Sequence, residues 1–272
     1  MRVLRRFGVG AAFAIVGAFL FAAILGPAFA PDPAGFLHLE HPYEPPGALF
    51  PLGTGDNGID LYSALLHGAR LALVVGFWVV SLSLLIGSAI GIASGYYGGR
   101  VDTALMGFAD MVQAIPAIVL NIAILAVVAS AGLGHLVLAL TANGWVIYAR
   151  VARASTLSLR SADFVSAARA LGYSDGRVLA RHVLPNVAGP LVIQATAGFG
   201  WTLLAESTLS FLGLGPGKET SWGALLDQGS AVLLRFPHVA MVSGGAIALT
   251  VLGFNLAGDH LRDLLDPRGA RH

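Results

Sequence analysis

The chain contains no cysteine, so it has neither a disulfide framework nor a thiolate metal site, and its loops must hold their shape by packing. Charge is nearly as scarce. Only 11% of its 272 residues are Asp, Glu, Lys or Arg, against about a quarter in an ordinary soluble domain. The stretch from Pro31 to His67 has no lysine or arginine at all. Three kinds of chemistry lack their residues as well. No GxxxxGK[ST] loop is present to cradle a nucleotide phosphate, so ATP hydrolysis by this chain alone is not expected. The eight histidines are scattered, with no pair at metal-ligand spacing, and no serine or aspartate pair with a base sits in an apolar run as intramembrane hydrolysis would require. Neither a metal nor a cofactor is expected.

What fills the chain instead is hydrocarbon. Hydrophobic residues make up 56% of it and the mean hydropathy is +0.76, which predicts an all-α polytopic membrane protein. A first span is expected over residues 7–30, behind Arg2, Arg5 and Arg6. A cleaved signal peptide ending at Ala28-Phe29-Ala30 is the competing reading, but its apolar region would be only about 7 to 15 residues long. Residues 31–69 read as an external segment rich in proline and glycine. A core over 70–258 follows, with spans at about 71–94, 103–131, 135–149, 187–212 and 238–258, an external loop over 213–237, and a charged tail at 259–272. With the N-terminus in the cytoplasm, thirteen of the sixteen basic residues fall inside and only Arg70, Lys218 and Arg235 outside. The positive-inside rule thus favours six spans with both termini cytoplasmic.

The exception to the apolar pattern is residues 156–186, TLSLRSADFVSAARALGYSDGRVLARHVLPN. Phe164, Ala167, Ala168 and Leu171 recur at helical spacing and predict one apolar face, with Arg160, Asp163, Ser166 and Arg169 opposite. Gly172 is placed as a left-handed cap, Ser174 or Asp175 as the start of a second helix through Val183, and Pro185 as its boundary. Helix, glycine turn, helix is also the outline of a DNA-binding unit with phosphate-binding arginines. The apolar runs on both sides argue against nucleic acid. A solvated loop and a handle for a soluble partner are the remaining readings.

Polar groups within the runs are the other informative class. A carboxylate at membrane depth costs at least about 2.5 kcal/mol on insertion scales, so Glu206, and Asp110 with Gln113 near Pro116, read as facing a pathway, a subunit contact or the interface. Pro116 predicts a bend. Small-residue stretches such as Gly87-Ser88-Ala89-Ile90-Gly91 predict close helix packing, within the chain or against a second membrane subunit.

The segment Ser166-Ala167-Ala168-Arg169-Ala170-Leu171-Gly172 through His182-Val183-Leu184-Pro185-Asn186 resembles the EAA motif of ABC importer permeases. Further stretches resemble the dipeptide, oligopeptide and nickel branch of that family: Pro51-Leu52-Gly53-Thr54, Gly95 to Asp102, Tyr148-Ala149-Arg150, Ala205-Glu206-Ser207, Leu209 to Gly215, Ser221-Trp222-Gly223, and Phe254-Asn255-Leu256 through Asp266-Pro267-Arg268. The resemblance implies a MetI-like permease fold and a second, C-type transmembrane subunit in the bacterial cytoplasmic membrane. It would be paired with a homologous permease, two ABC ATPase subunits and an external solute-binding protein, for peptides, opines or nickel chelates. It assigns ATPase coupling to Ala167, Ala168, Gly172, Leu184 and Pro185. At the motif's glutamate this chain has Ser166, which removes any salt bridge that glutamate would make, and Gly55, Ile59 and Ala64 stand where the family is often charged. A stand-alone secondary transporter, which should show inverted repeats, and a membrane enzyme are the alternatives from other classes.

Overall fold

The structure is a computed structural model that describes residues 2–127, 132–217 and 219–265. Lys218, Asp266, Pro267, Arg268 and Arg271, and the last residues of the expected third span, lie outside the described residues. Among the described residues, eleven α-helices follow one another: α1 (Arg2–Ile24), α2 (Gly26–Phe29), α3 (Leu61–Tyr97), α4 (Gly99–Ala114), α5 (Ala117–Ala126), α6 (Leu133–Arg160), α7 (Asp163–Ala170), α8 (Asp175–Val178), α9 (Leu184–Phe211), α10 (Trp222–Ala231) and α11 (Pro237–Leu265). The only β pairing among the described residues is an isolated bridge between Thr54 and Asp60.

α3, the longest helix, and α6 form the central seam, and glycine is the reason they approach so closely. Gly87, Gly91 and Gly95 lie one turn apart on α3 and meet Tyr148, Ala152 and Thr156, one turn apart on α6. A Cβ added to each glycine would lie 2.6 Å from Tyr148 Cβ, 2.7 Å from Ala152 Cβ and 2.8 Å from Thr156 Cβ respectively. In a membrane, where lipid is as apolar as leucine, such backbone contact supplies dispersion that larger side chains would prevent. This glycine stripe therefore bundles the chain with itself.

Two of the expected boundaries move. The second span begins ten residues early, at Leu61, because the Asp60 carboxylate caps the helix, accepting from Tyr62 N at 3.2 Å and Ser63 N at 2.9 Å. Leu61 and Ala64 are then buried against Leu225 and Val239. The loop expected over 213–237 contains α10, tied down by Trp222, whose Nε1 donates to the Leu65 carbonyl at 2.9 Å.

Length and apolar composition alone pick out fewer than the six expected spans among the described residues. Among the described residues, four helical stretches are individually long and apolar enough to cross a membrane: Val9–Phe29, Leu61–Tyr97, Asp175–Phe211 and Pro237–Leu264. α4 and α5 make a fifth if their 80° corner is part of one broken span. That corner falls at Pro116, as expected. The expected span over 135–149 lies in α6, a helix of 28 residues that falls outside this set because His135, Thr141, Asn143 and Arg150 dilute its apolar stretch.

α3 serves as a ruler for the molecule. Its Leu61 end lies under the segment from Pro31 to Asp60, and its Tyr96 end packs with Val165, Val178 and Val183. The proline-rich segment and the 161–183 segment therefore occupy opposite ends of the bundle. Gly26 abuts Leu66 near the first of these ends, so α1, antiparallel to α3, begins at the other, and α11 runs toward that same end. Without a disulfide, the proline-rich segment is organised around fully buried Thr54. Its Oγ1 donates to His41 O at 2.5 Å and accepts from Glu44 N at 2.7 Å.

Candidate functional site: a coupling segment and a central cavity

α7 ends as its sequence dictates. Gly172 takes a φ of +79°, a conformation in which a Cβ would crowd the following carbonyl oxygen. That turn lets Tyr173 N reach Ala168 O at 3.1 Å and Gly172 N reach Arg169 O at 2.9 Å, the paired bonds of a Schellman cap. Ser174 occupies the N-cap of α8 but makes no capping bond through its side chain. The carboxylate of Asp175 is engaged elsewhere, accepting from Tyr96 Oη at 2.6 Å. Arg169 lies over the ring of the same tyrosine, 4.8 Å from its centroid.

The buried face of α7 is not the one the spacing suggests. Val165 and Ala168 point inward, with Val178 and Val183, onto Tyr96, Tyr148 and Ala152. Of the predicted face only Ala168 is buried. Ala167 is exposed, Phe164 is 43% exposed and Leu171 is 75% exposed. α7 is apolar on two sides, and the chain covers one of them. Ser166, Leu184 and Pro185 also lie exposed at this end.

Pro185 does not end the helix. A five-residue π turn at Leu179–Val183 joins α8 to α9, with Pro185 in the first turn of α9, where its missing N–H is least costly. Asp175 to Phe211 thus runs as one helical stretch of 37 residues.

Beside this segment α4 is clamped to α6. The Asp102 carboxylate accepts from Arg153 Nε at 2.6 Å and Nη2 at 2.7 Å, and also from Ser94 Oγ on α3. Arg150 Nη2 donates to Asp110 at 2.7 Å, so Asp110 is ion-paired. Gln113, one turn on, is exposed. The Asp102–Arg153 pair is not visible in the sequence, because its members lie 51 residues apart.

Glu206 is 2% exposed. It accepts from three serines: Ser210 Oγ at 2.7 Å, Ser221 Oγ at 2.9 Å and Ser207 Oγ at 3.3 Å. The Ser221 bond ties the end of α9 to the start of α10.

Between α3, α5, α6 and α9 lies a cavity of about 570 Å³. Its polar wall is Ser83, Asn121, Asn143, Tyr148, Gln194 and Thr202, and no charged side chain lines it. Asp110, Gln113 and Glu206 are not among its lining residues.

This architecture, a helical bundle with a polar helix pair projecting at one end and an uncharged cavity between its spans, is that of a transmembrane permease. Residues 87–271 match the family described as binding-protein-dependent transport system inner membrane component, and the chain belongs to that family. It is 36% identical over 255 residues to a dipeptide transport system permease protein of Alkalihalophilus pseudofirmus, covering 93% of this chain and 84% of that one. It is 40% identical over 274 residues to a putative peptide transport system permease protein of Brucella suis, covering 98% and 90%. An oligopeptide transport system permease protein of Bacillus subtilis is 34% identical, with 93% and 83% covered. In fold it resembles a chain of the inward-facing MetNI methionine ABC transporter, with a TM-score of 0.62 at 19% identity over 75% of this chain and 97% of that one. The chain is a multi-pass inner-membrane permease subunit of an ABC importer.

Proposed function

We propose that this permease carries peptides or closely related solutes, and that partner ATPases drive it through residues 161–185. The peptide reading is supported by the names of its relatives. The coupling reading rests on one observation: α7 leaves Phe164 and Leu171 exposed while Val165, Ala168 and Arg169 hold its other side against Tyr96 and the bundle. An apolar surface on a rigidly held helix is suited to burial in a cleft of another protein. Ser166, Ala167, Ala168, Gly172, Leu184 and Pro185 shape this segment. The segment faces the cytoplasm together with both chain ends, and the segment over 31–69 faces out toward a solute-binding protein. A homologous permease completes the pathway. The first 30 residues form a leading helix beside the 70–258 core, and Asp110, Gln113 and Glu206 act at subunit contacts or in setting the pathway's walls.

The deciding experiment places Leu171→Asp in the complete complex with its ATPases, second permease and binding protein. The variant should insert normally, lose the ATPase subunits on purification and lose ATP-driven uptake of a dipeptide. Undiminished uptake with the ATPases still attached would refute the coupling reading. A reporter fused after Asp175 that reads out on the periplasmic side would overturn the orientation.

A further inference from the structure

From the geometry of the central cavity we infer a solute-contact site that recognises uncharged amide groups, centred on Asn121 and Asn143. This rests on the importer reading above and specifies what its pathway grips.

Asn121 on α5 is 4% exposed. Its Oδ1 accepts from Asn143 Nδ2 on α6 at 2.8 Å. That single bond joins the pair and leaves Asn121 its amide NH2 as a donor and Asn143 its carbonyl oxygen as an acceptor. Between them, this free donor and this free acceptor can satisfy the carbonyl oxygen and the N–H of an amide group. Gln194 on α9 adds a second amide to the wall. Two further wall residues, Ser83 and Tyr148, are 1% and 3% exposed, and their hydroxyls have no hydrogen-bond partner. Those two oxygens are packed against Gly144 and Gly198, so the polar groups open to a solute are the side-chain amides of Asn121, Asn143 and Gln194.

The absent charges fix the ligand's class. With no Lys, Arg, Asp or Glu in the lining, the site has nothing to neutralise an isolated ion in a low-dielectric setting. A volume of about 570 Å³ lies within the range of about 300 to 1,000 Å³ usual for small-molecule sites. The site therefore takes the amide-bearing part of a small solute and leaves its charged ends to water or to the second permease.

Because the chain has no native cysteine, a thiol placed in the cavity is unique in it. Ala117 lies one turn before Asn121 and Ala197 on the opposite helix, both in the lining. In the complete complex in nanodiscs, without nucleotide or binding protein, Ala117→Cys should react with a hydrophilic maleimide. Millimolar dialanine should slow that reaction about threefold, as expected when a ligand stands at twice its Kd. Betaine, which has both charges but no peptide group, should give no protection, and adding Asn121→Leu should abolish protection by dialanine. If Ala117→Cys fails to assemble, Ala197→Cys reads the same cavity.

Protection absent at both thiols, equal protection by betaine, or protection that survives Asn121→Leu would each overturn the inference. So would two unreactive thiols, which would mean a cavity closed to water. ATP-driven dialanine uptake by the unmodified complex is measured alongside. Uptake without protection defeats this site alone, whereas absence of ATP-driven uptake defeats the importer reading and this site with it.

Discussion

Tyr96, the last buried residue of α3, donates a hydrogen bond of 2.6 Å to Asp175, 79 residues further along, and so fixes the projecting segment to the far end of the longest helix. Removing only that hydroxyl, as Tyr96→Phe, leaves the ring beneath Arg169 in place. Hydrogen bonds to charged groups contribute about 1.5 to 3 kcal/mol when well shielded. Asp175 is exposed, so about 1 kcal/mol is expected here. Hydrogen exchange in residues 163–178 should accelerate about fivefold, with helix content unchanged, and ATP-driven uptake should fall.

Gly172→Pro should insert normally and abolish uptake and substrate-stimulated ATPase activity. Proline holds φ near −65° where Gly172 has +79°, and it deletes the N–H that bonds Arg169 O. Gly172→Ala, which keeps the N–H, should cost about 1 to 2 kcal/mol from the left-handed conformation and give partial uptake. Normal transport by the proline variant would show that the turn is dispensable.

Gly91→Val should be damaging in a different way. The new Cβ would press on Ala152 and on the backbone at Ala149, separating α3 from α6. Overpacking typically costs about 1 to 3 kcal/mol, and a rigid backbone neighbour puts this case at the upper end. The expected readout is a lower thermal midpoint and lower yield of the assembled complex, with Ser88→Val, at a half-buried position one turn back that does not meet the α6 backbone, tolerated.

Glu206→Gln keeps the shape and most of the hydrogen bonding, since an amide still accepts through its oxygen. Glu206→Ala leaves the hydroxyls of Ser207, Ser210 and Ser221 without their acceptor, at about 1 to 3 kcal/mol for each that stays dry. The alanine variant should therefore loosen the connection to α10, seen as faster proteolysis near Ser221, and the glutamine variant should not. Glu206→Gln is expected to alter transport more than assembly if the carboxylate's charge serves the pathway, and uptake measured beside complex yield separates the two.

Gly98 and Gly99 illustrate how much of this was legible in advance. They fall between the spans expected over 71–94 and 103–131, and both take positive φ there. The long apolar runs, the bend at Pro116 and the glycine cap at Gly172 were equally plain, because each depends on residues adjacent in the chain. What escaped notice depends on contacts across it. The sequence of α7 offers apolar residues on two sides, and only Tyr96 and Val183 decide that Val165 is the one covered. α10 is ten residues long, too short to show a clear period, and is held by the Trp222 contact with Leu65. The Asn121–Asn143 pair joins two helices through residues individually unremarkable in a list.

The absence of a loop between Asp175 and Phe211 has a consequence for timing. A helix of 37 residues is about 55 Å from end to end at 1.5 Å per residue, so a displacement of its Asp175 tip is carried toward Glu206 with only the π turn at Leu179–Val183 and Pro190 to absorb it. On the coupling proposed above, opening at one end and closing at the other would then be halves of a single stroke.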